Sequence, residues 1–382
     1  MRVLFATHNF PRFSGDLPGN FLHRLAVALG AAGVDVSVVA PHAPGLAPAG
    51  IVDGVPVTRF RYAPDDRETL AYGGVMAAEV RKSWRAKFDM LAFVRAMSAA
   101  IRESDADVVH AHWWFPAGLA AGRTPLRGRP LVVTMHGSDV RFARGALPRT
   151  LMRHVLRRAS RTTAVSRWLA SEAAALAGVP QQPLVAPMPV DTTLFAAGTA
   201  AREGVLFVGK LDAQKGAAVL LEALAHVDRS VIATFIGGGP EADALRARTA
   251  ELGLNARVRW LGPLPHSQLA PFYQSARITI APATEAEGLG LSVAESMLCE
   301  TPVIASDIGG LTDLVVDQTT GRLVPPRDPR ALAAAISDAL ADPDRLAAWG
   351  AAGRERVLQR FDPAACAAAY VRVYEEALRG RA

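Results

Sequence analysis

Lysine is scarce in this chain of 382 residues: Lys82, Lys87, Lys210 and Lys215 stand beside 38 arginines. Cysteine is scarcer still. Cys299 and Cys366 lie far apart with no histidine spacing around them, which argues against a structural zinc site and for a reducing compartment. The chain opens on the apolar run Met1 to His8, too short for a signal peptide or a membrane span, and that run reads as a first strand. It contains no serine nucleophile elbow, no HExxH pair and no Walker loop. Only 20% of residues are charged and half are hydrophobic, so a full core is available and wholesale disorder is not expected.

What charge there is lies unevenly. Residues 1–180 hold 23 Lys and Arg against 13 Asp and Glu, a balance of +10; residues 181–382 hold 19 against 23, a balance of −4. A basic front half suits an anionic partner such as a membrane surface, a phosphorylated acceptor or nucleic acid. A helix from about Ala77 to Ser104 carries Arg81, Lys82, Arg85, Lys87 and Arg95 between Trp84, Phe88, Met90, Leu91 and Phe93. That mixture can lie on an anionic bilayer, and it equally fits a core helix with a solvated basic face.

Strand-like runs at 2–7, Asp35–Ala40, Val55–Phe60, Ala106–His110, Pro130–Thr134 and Arg161–Val165 alternate with helical stretches, which predicts a parallel sheet covered by helices on both faces. The proline-rich stretch from Gly178 to Pro189 reads as a linker. A second strand–helix series follows, with strands at Gly204–Gly209, Val231–Ile236, Arg257–Leu261, Arg277–Ala281, Val303–Ala305 and Arg322–Val324. Two doubly wound α/β domains are expected, with a closing helix from Asp362 to Leu378.

Acid, glycine and helix signals converge in one stretch, Glu285 to Leu298. Glu287 sits where a strand hands over to a helix, and Gly288 and Gly290 permit close backbone approach. The first amides of that helix lack intrahelical partners and form a cradle for an anion, most naturally phosphate. Glu295 lies five residues beyond Gly290, roughly 7.5 Å along the axis at about 1.5 Å per residue. A carboxylate on each side of an anion cradle suits a diphosphate with hydroxyls at both ends, as in a nucleotide-sugar. Two solvated helix acids are the plainer alternative.

Three further loops follow strands. Gly209 to Gly216 holds two of the four lysines, Lys210 and Lys215, and lysine grips phosphate as a point charge. Ile236 to Ala242 matches Gly-x-Gly-x-x-Ala but lacks the acid after the next strand, so Gly237 is read as lining a nucleotide pocket without a dinucleotide fingerprint. In the front half, Val109 to Phe115 includes His112, Trp113 and Trp114, and Thr134 to Asp139 includes His136; a satisfied structural histidine is the default for any one of these.

Together these residues resemble the family 4 retaining glycosyltransferases of the GT-B fold, over nearly the whole chain. The resemblance implies two Rossmann-like domains facing across a cleft: 1–185, joined by 363–382 as the closing helix crosses back, for the acceptor, and 186–362 for the donor. It implies that Lys215, with Lys210, neutralises the donor's diphosphate, and that the amides of Leu289, Gly290 and Leu291 complete the cradle beside Gly288. Glu287 would hold sugar hydroxyls, Glu295 the ribose, and Leu264 with its neighbours would border the base. His136 would lie against the sugar. The family often has Arg where Lys210 stands, Asn-Gly where Met188-Pro189 stands, and a Gly-Gly pair where Ser14-Gly15-Asp16 and Gly19 stand; Gly15 is counted with the donor site, and which glycine of this loop approaches the phosphate stays open.

The expectation is thus a cytoplasmic hexosyltransferase, peripheral on the inner face of the membrane, that uses a UDP- or GDP-linked sugar and neither metal nor cofactor. Asp139, His112 and Trp113 are expected near an acceptor that is a glycan or lipid-linked, an anionic membrane surface is an expected partner, and nucleic acid is not. A nucleotide-sugar epimerase and a non-catalytic nucleotide-sugar binding protein are the alternatives.

Overall fold

A computed structural model describes residues 1–73, 76, 79–80 and 83–380. Contacts divide the chain into two compact units, Met1–Pro189 with Pro363–Ala382, and Val190–Asp362. Arg81 and Lys82 of the expected basic helix, and Ala77 at its start, lie outside the described residues.

In the first unit the strands are β1 (Arg2–Ala6), β2 (Asp35–Pro41), β3 (Ala49–Val52), β4 (Val55–Phe60), β5 (Val108–His112), β6 (Leu131–Met135), β7 (Arg161–Ala164) and β8 (Leu184–Val185). They form one sheet in the order β3-β4-β2-β1-β5-β6-β7-β8. β5 and β6 are buried at every position, as the central strands of a sheet covered on both faces must be. One edge departs from the all-parallel expectation, because β3 runs antiparallel to β4. Asp53 and Gly54, both at positive φ (42° and 86°), turn the chain between them, the backbone a two-residue hairpin requires. β8 lies inside the stretch read as linker and pairs with β7.

The helix Trp84–Glu103 is capped by Ser83, whose Oγ accepts the Ala86 amide at 3.1 Å. Met90, Phe93, Val94, Met97 and Ile101 turn inward, while Trp84 (75% exposed), Phe88 (68%) and Leu91 (56%) face outward. The final helix, Pro363–Arg379, packs into this same unit. Tyr374 Oη lies 2.8 Å from His110 Nδ1 on β5, and the Tyr370 hydroxyl donates to the Ala186 carbonyl at 2.9 Å.

The second unit has β9 (Glu203–Val208), β10 (Ala233–Ile236), β11 (Val258–Gly262), β12 (Ala276–Ala281), β13 (Val303–Ser306) and β14 (Gly321–Val324), in the order β11-β10-β9-β12-β13-β14. All its pairings are parallel. Counted from its own first strand this is the order 3-2-1-4-5-6 of a doubly wound nucleotide-binding sheet. Order reverses between β9 and β12, and the crevice beyond their carboxyl ends is where such sheets bind ligands. In the first unit the corresponding reversal falls between β1 and β5.

Candidate functional site

The two loops at the β9/β12 reversal carry the charged residues picked out above. Asp212 starts a single helical turn after β9, its Oδ1 accepting the Lys215 amide at 3.1 Å, and so presents Lys215 at the turn's end. Gly216 follows at φ 71°, and a Cβ there would stand 1.9 Å from the Pro282 carbonyl oxygen. The Thr284 amide donates to Gln214 O (2.9 Å) and its hydroxyl to Ala213 O (2.7 Å). The lysine loop is therefore stitched to the loop after β12, and Lys215 Nζ meets Glu287 Oε2 at 2.6 Å. The pair is partly buried, with side chains 30% and 12% exposed. Lys210 is exposed and lies 3.5 Å from Asp212.

Behind Glu287, Gly290 (φ 95°) caps the helix Leu291–Leu298, and no side chain occupies that cap. The helix's first amides and its positive dipole end are thereby left for an anion. Leu289 is buried. Residues Gly309 and Gly310, after β13, were not expected here. A Cβ on Gly309 would lie 2.7 Å from the Glu287 amide nitrogen and one on Gly310 2.2 Å from the Gly288 carbonyl, and the Gly310 amide donates to Glu287 O at 2.8 Å. Two glycines in a row after a buried strand were the available signal.

Glu295 is 7% exposed and has partners on both oxygens: His266 Nε2 at 2.8 Å from Oε1 and the Tyr273 hydroxyl, donating to Oε2 at 3.1 Å. Burial and the nearby Glu295 charge push the Tyr273 phenol well above its ordinary range, so Tyr273 remains a donor. Sequence reading missed both partners. Leu264, expected at the base, is partly buried on the segment before His266.

Gly237 has a more local reason than a nucleotide. At φ 145° a Cβ would stand 1.8 Å from the Gly209 carbonyl oxygen, and one on Gly239 2.3 Å from that of Leu211. The Leu211 amide donates to Gly238 O at 2.9 Å, so the glycine run after β10 is the bed on which the lysine loop lies.

In the first unit His8, after β1, His112, ending β5, and His136, after β6, cluster at that sheet's own reversal. His112 Nδ1 and His136 Nε2 are 3.2 Å apart, the Trp113 and His136 rings 4.3 Å, and the Trp113 and His8 rings 4.4 Å. Burial lowers the pKa of His8 to about 4 and those of His112 and His136 well below the usual imidazole value, so all three are neutral near pH 7.

Three expected acceptor residues are built inward. Asp139 is 4% exposed; its Oδ1 accepts the His136 and Gly137 amides at 3.2 and 2.9 Å, and its Oδ2 that of Trp114 at 3.2 Å. Its carboxylate shapes the loop that carries His136. Trp113 is 6% exposed and His112 fully buried. Of the first-loop glycines, Gly19 is the one closely packed, a Cβ there lying 2.3 Å from Asn9 O, whereas Gly15 (φ 81°) faces open space.

A doubly wound sheet with a lysine, a glutamate and a bare helix amino end at its reversal is in keeping with the family the sequence resembles, and two family models match the chain. The model Glycosyltransferase Family 4 matches residues 19–194 and the model Glycosyl transferases group 1 matches residues 199–356. The chain belongs to the family 4 glycosyltransferases and has the GT-B fold. It is 34% identical over 305 residues, 71% of each chain, to D-inositol 3-phosphate glycosyltransferase of Thermobispora bispora. Sucrose-phosphate synthase from Thermosynechococcus elongatus matches over the full length of both chains with a TM-score of 0.83 at 24% identity. The Anabaena protein Alr3699/HepE, solved in complex with UDP-glucose, matches 98% of this chain and 99% of its own with a TM-score of 0.74 at 19% identity. At those identities the two structures speak for the fold alone.

Proposed function

We propose that this glycosyltransferase moves a hexose from a nucleoside-diphosphate sugar, UDP- or GDP-linked, to an acceptor hydroxyl with retention of anomeric configuration. The observation that carries the reading is the Lys215–Glu287 pair at the β9/β12 reversal, ahead of the uncapped helix Leu291–Leu298. Lys215 leaves Glu287 for the donor's diphosphate, Lys210 adds a second positive charge, and the amides at Gly290 and Leu291 take phosphate oxygens. Glu287, released, accepts sugar hydroxyls; Glu295 takes the ribose. Two ammonium groups and a helix dipole stabilise the departing diphosphate, so the step is proposed to need no metal. His136 lies against the sugar. Retention follows front-face attack without a carboxylate-bound intermediate, in keeping with the family resemblance.

The acceptor is a lipid-linked or otherwise anionic glycan, and the enzyme works in the cytoplasm on the inner face of the membrane. The outward Trp84, Phe88 and Leu91, with exposed Arg85, Lys87 and Arg95 around them, support the membrane part. Two buried cysteines that form no disulfide suit a reducing compartment. Among the described residues no helix is long and apolar enough to cross a membrane.

The test is nucleotide release from UDP-, GDP- and ADP-sugars with and without EDTA, in wild type, Glu287→Ala and Lys215→Ala. Release that survives EDTA and collapses in both variants names the donor and supports the metal-free site. Donor binding with no release under any acceptor moves the chain to a binding role, and free isomerised sugar moves it to epimerisation.

A further inference from the structure

The first unit contains an arrangement of imidazoles that bears on His136, and it concerns the proton on that ring. His112 is fully buried. Its Nδ1 faces His136 Nε2 at 3.2 Å, and its Nε2 has no hydrogen-bond partner among the described residues. Both rings are kept neutral by burial, so each carries one proton, and the short contact requires that one ring donate and the other accept.

Two assignments are open to the pair. If His136 donates from Nε2, His112 accepts on Nδ1 and must carry its own proton on Nε2, a buried N–H with no oxygen or nitrogen to receive it. The nearest surface recorded for that ring besides its histidine neighbours is Phe5, 4.5 Å away and edge-on, which offers at best a weak contact. If His112 donates from Nδ1, its Nε2 is a bare lone pair, and the unsatisfied group is an acceptor. An orphaned buried N–H is the costlier of the two. Neighbouring His110 relieves neither case, because its nitrogens are already engaged with Tyr374 at 2.8 Å and Thr134 at 2.7 Å.

We propose that His112 is a positioning residue that holds His136 as its Nδ1–H tautomer, so that the ring presents a hydrogen-bond donor, and no base, to what binds against it. His136 is only partly buried, and no group among the described residues is recorded hydrogen-bonding its Nδ1. The proton is thus placed on the ring nitrogen that has no protein partner. A donor there suits a sugar hydroxyl or ring oxygen; it cannot remove the acceptor's proton. This rests on the reading of His136 as the group against the donor sugar, but the tautomer itself is measured without turnover.

The experiment is nitrogen NMR of the full chain labelled at imidazole nitrogens, with the His136 signals assigned by their loss in His136→Asn. In wild type the protonated His136 nitrogen is Nδ1. His112→Asn keeps an N–H near the position of Nδ1 and retains both the Nδ1–H signature and transfer within about threefold of wild type. His112→Leu removes the donor, mixes the two His136 tautomers and lowers transfer about tenfold, the scale of one neutral hydrogen bond. Circular dichroism establishes that each variant is folded. An Nε2–H signature in wild type, an unchanged signature in folded His112→Leu, or equal behaviour of the Asn and Leu variants overturns the proposal. A wild-type Nδ1–H signature in a chain that releases no nucleotide leaves this inference standing and sinks the proposed function instead.

Discussion

Lys215 Nζ lies 2.6 Å from Glu287 Oε2 across 72 residues of sequence. On the proposed reading each side chain stands in for the other's ligand: the ammonium occupies an acid that would hold hydroxyls, and the carboxylate occupies a cation that would hold phosphate. Removing one partner therefore removes a contact to the donor and also leaves the survivor partly buried and unpaired.

Lys215→Ala is expected to lower kcat/KM by about a hundredfold or more, and Glu287→Gln by a comparable factor. The double variant Lys215→Ala with Glu287→Gln should lose less than the product of the single losses, because the second removal relieves the charge left by the first. Steady-state kinetics on the three proteins tests this; strictly multiplicative losses would mean the two residues act independently.

On the proposed reading Glu295 takes the ribose of the nucleotide. Glu295→Gln is expected to weaken nucleoside-diphosphate binding about tenfold and to erase any preference for ribose over dideoxyribose. His266→Ala frees one oxygen without removing the charge and should change affinity by about threefold or less. Calorimetric titration with both sugars separates the outcomes, and an unaltered ribose preference in Glu295→Gln would remove Glu295 from the site.

Gly237→Ala and Gly15→Ala should diverge. The first forces a methyl to 1.8 Å from the Gly209 carbonyl, so the bed under the lysine loop must move; about 3 kcal/mol of stability and most nucleotide affinity are expected to go. The second meets no neighbour and carries only the cost of a left-handed backbone, about 1 kcal/mol. Urea unfolding with and without nucleotide measures both.

Acid should unfold the first unit early. Burial lowers the pKa of His110 from 6.5 to about 3 and that of His8 to about 4. A depressed histidine contributes stability above the unfolded value, and that contribution is lost as pH falls from about 6.5 towards the folded pKa, because only the unfolded chain takes up the proton. Lowering pH from 6.5 to 5 should cost about 2 kcal/mol for each such imidazole. Urea midpoints across that range check the sign; a midpoint that rises on acidification would contradict it.

The alternation of strands and helices was legible because buried parallel strands are continuous apolar runs, and β4 matches its expected bounds, Val55–Phe60, residue for residue. β5 was expected to end at His110 and runs on to His112, since a buried histidine looks like a loop residue until its partner is known. That partner, Tyr374, is 264 residues away. The β3 edge has a readable sign in Asp53-Gly54, a dipeptide typical of two-residue hairpins. In the site, Glu287 and Lys215 follow from residue type and position at strand ends. The burial of Asp139, Trp113 and His112, and the grip of His266 and Tyr273 on Glu295, depend on residues 22 or more positions distant and leave no periodic trace.

The helix Pro363–Arg379, described above through Tyr370 and Tyr374, makes the first unit discontinuous in the chain, and the Val190 amide meets the Phe361 carbonyl at 3.0 Å where the second unit begins and ends. During synthesis the second unit is complete before the first. The amino-terminal part of the first unit emerges without the partner of His110, because Tyr374 follows the whole of the second unit in the chain. A truncation that removes Pro363–Arg379 would therefore injure the unit whose strands are translated earliest.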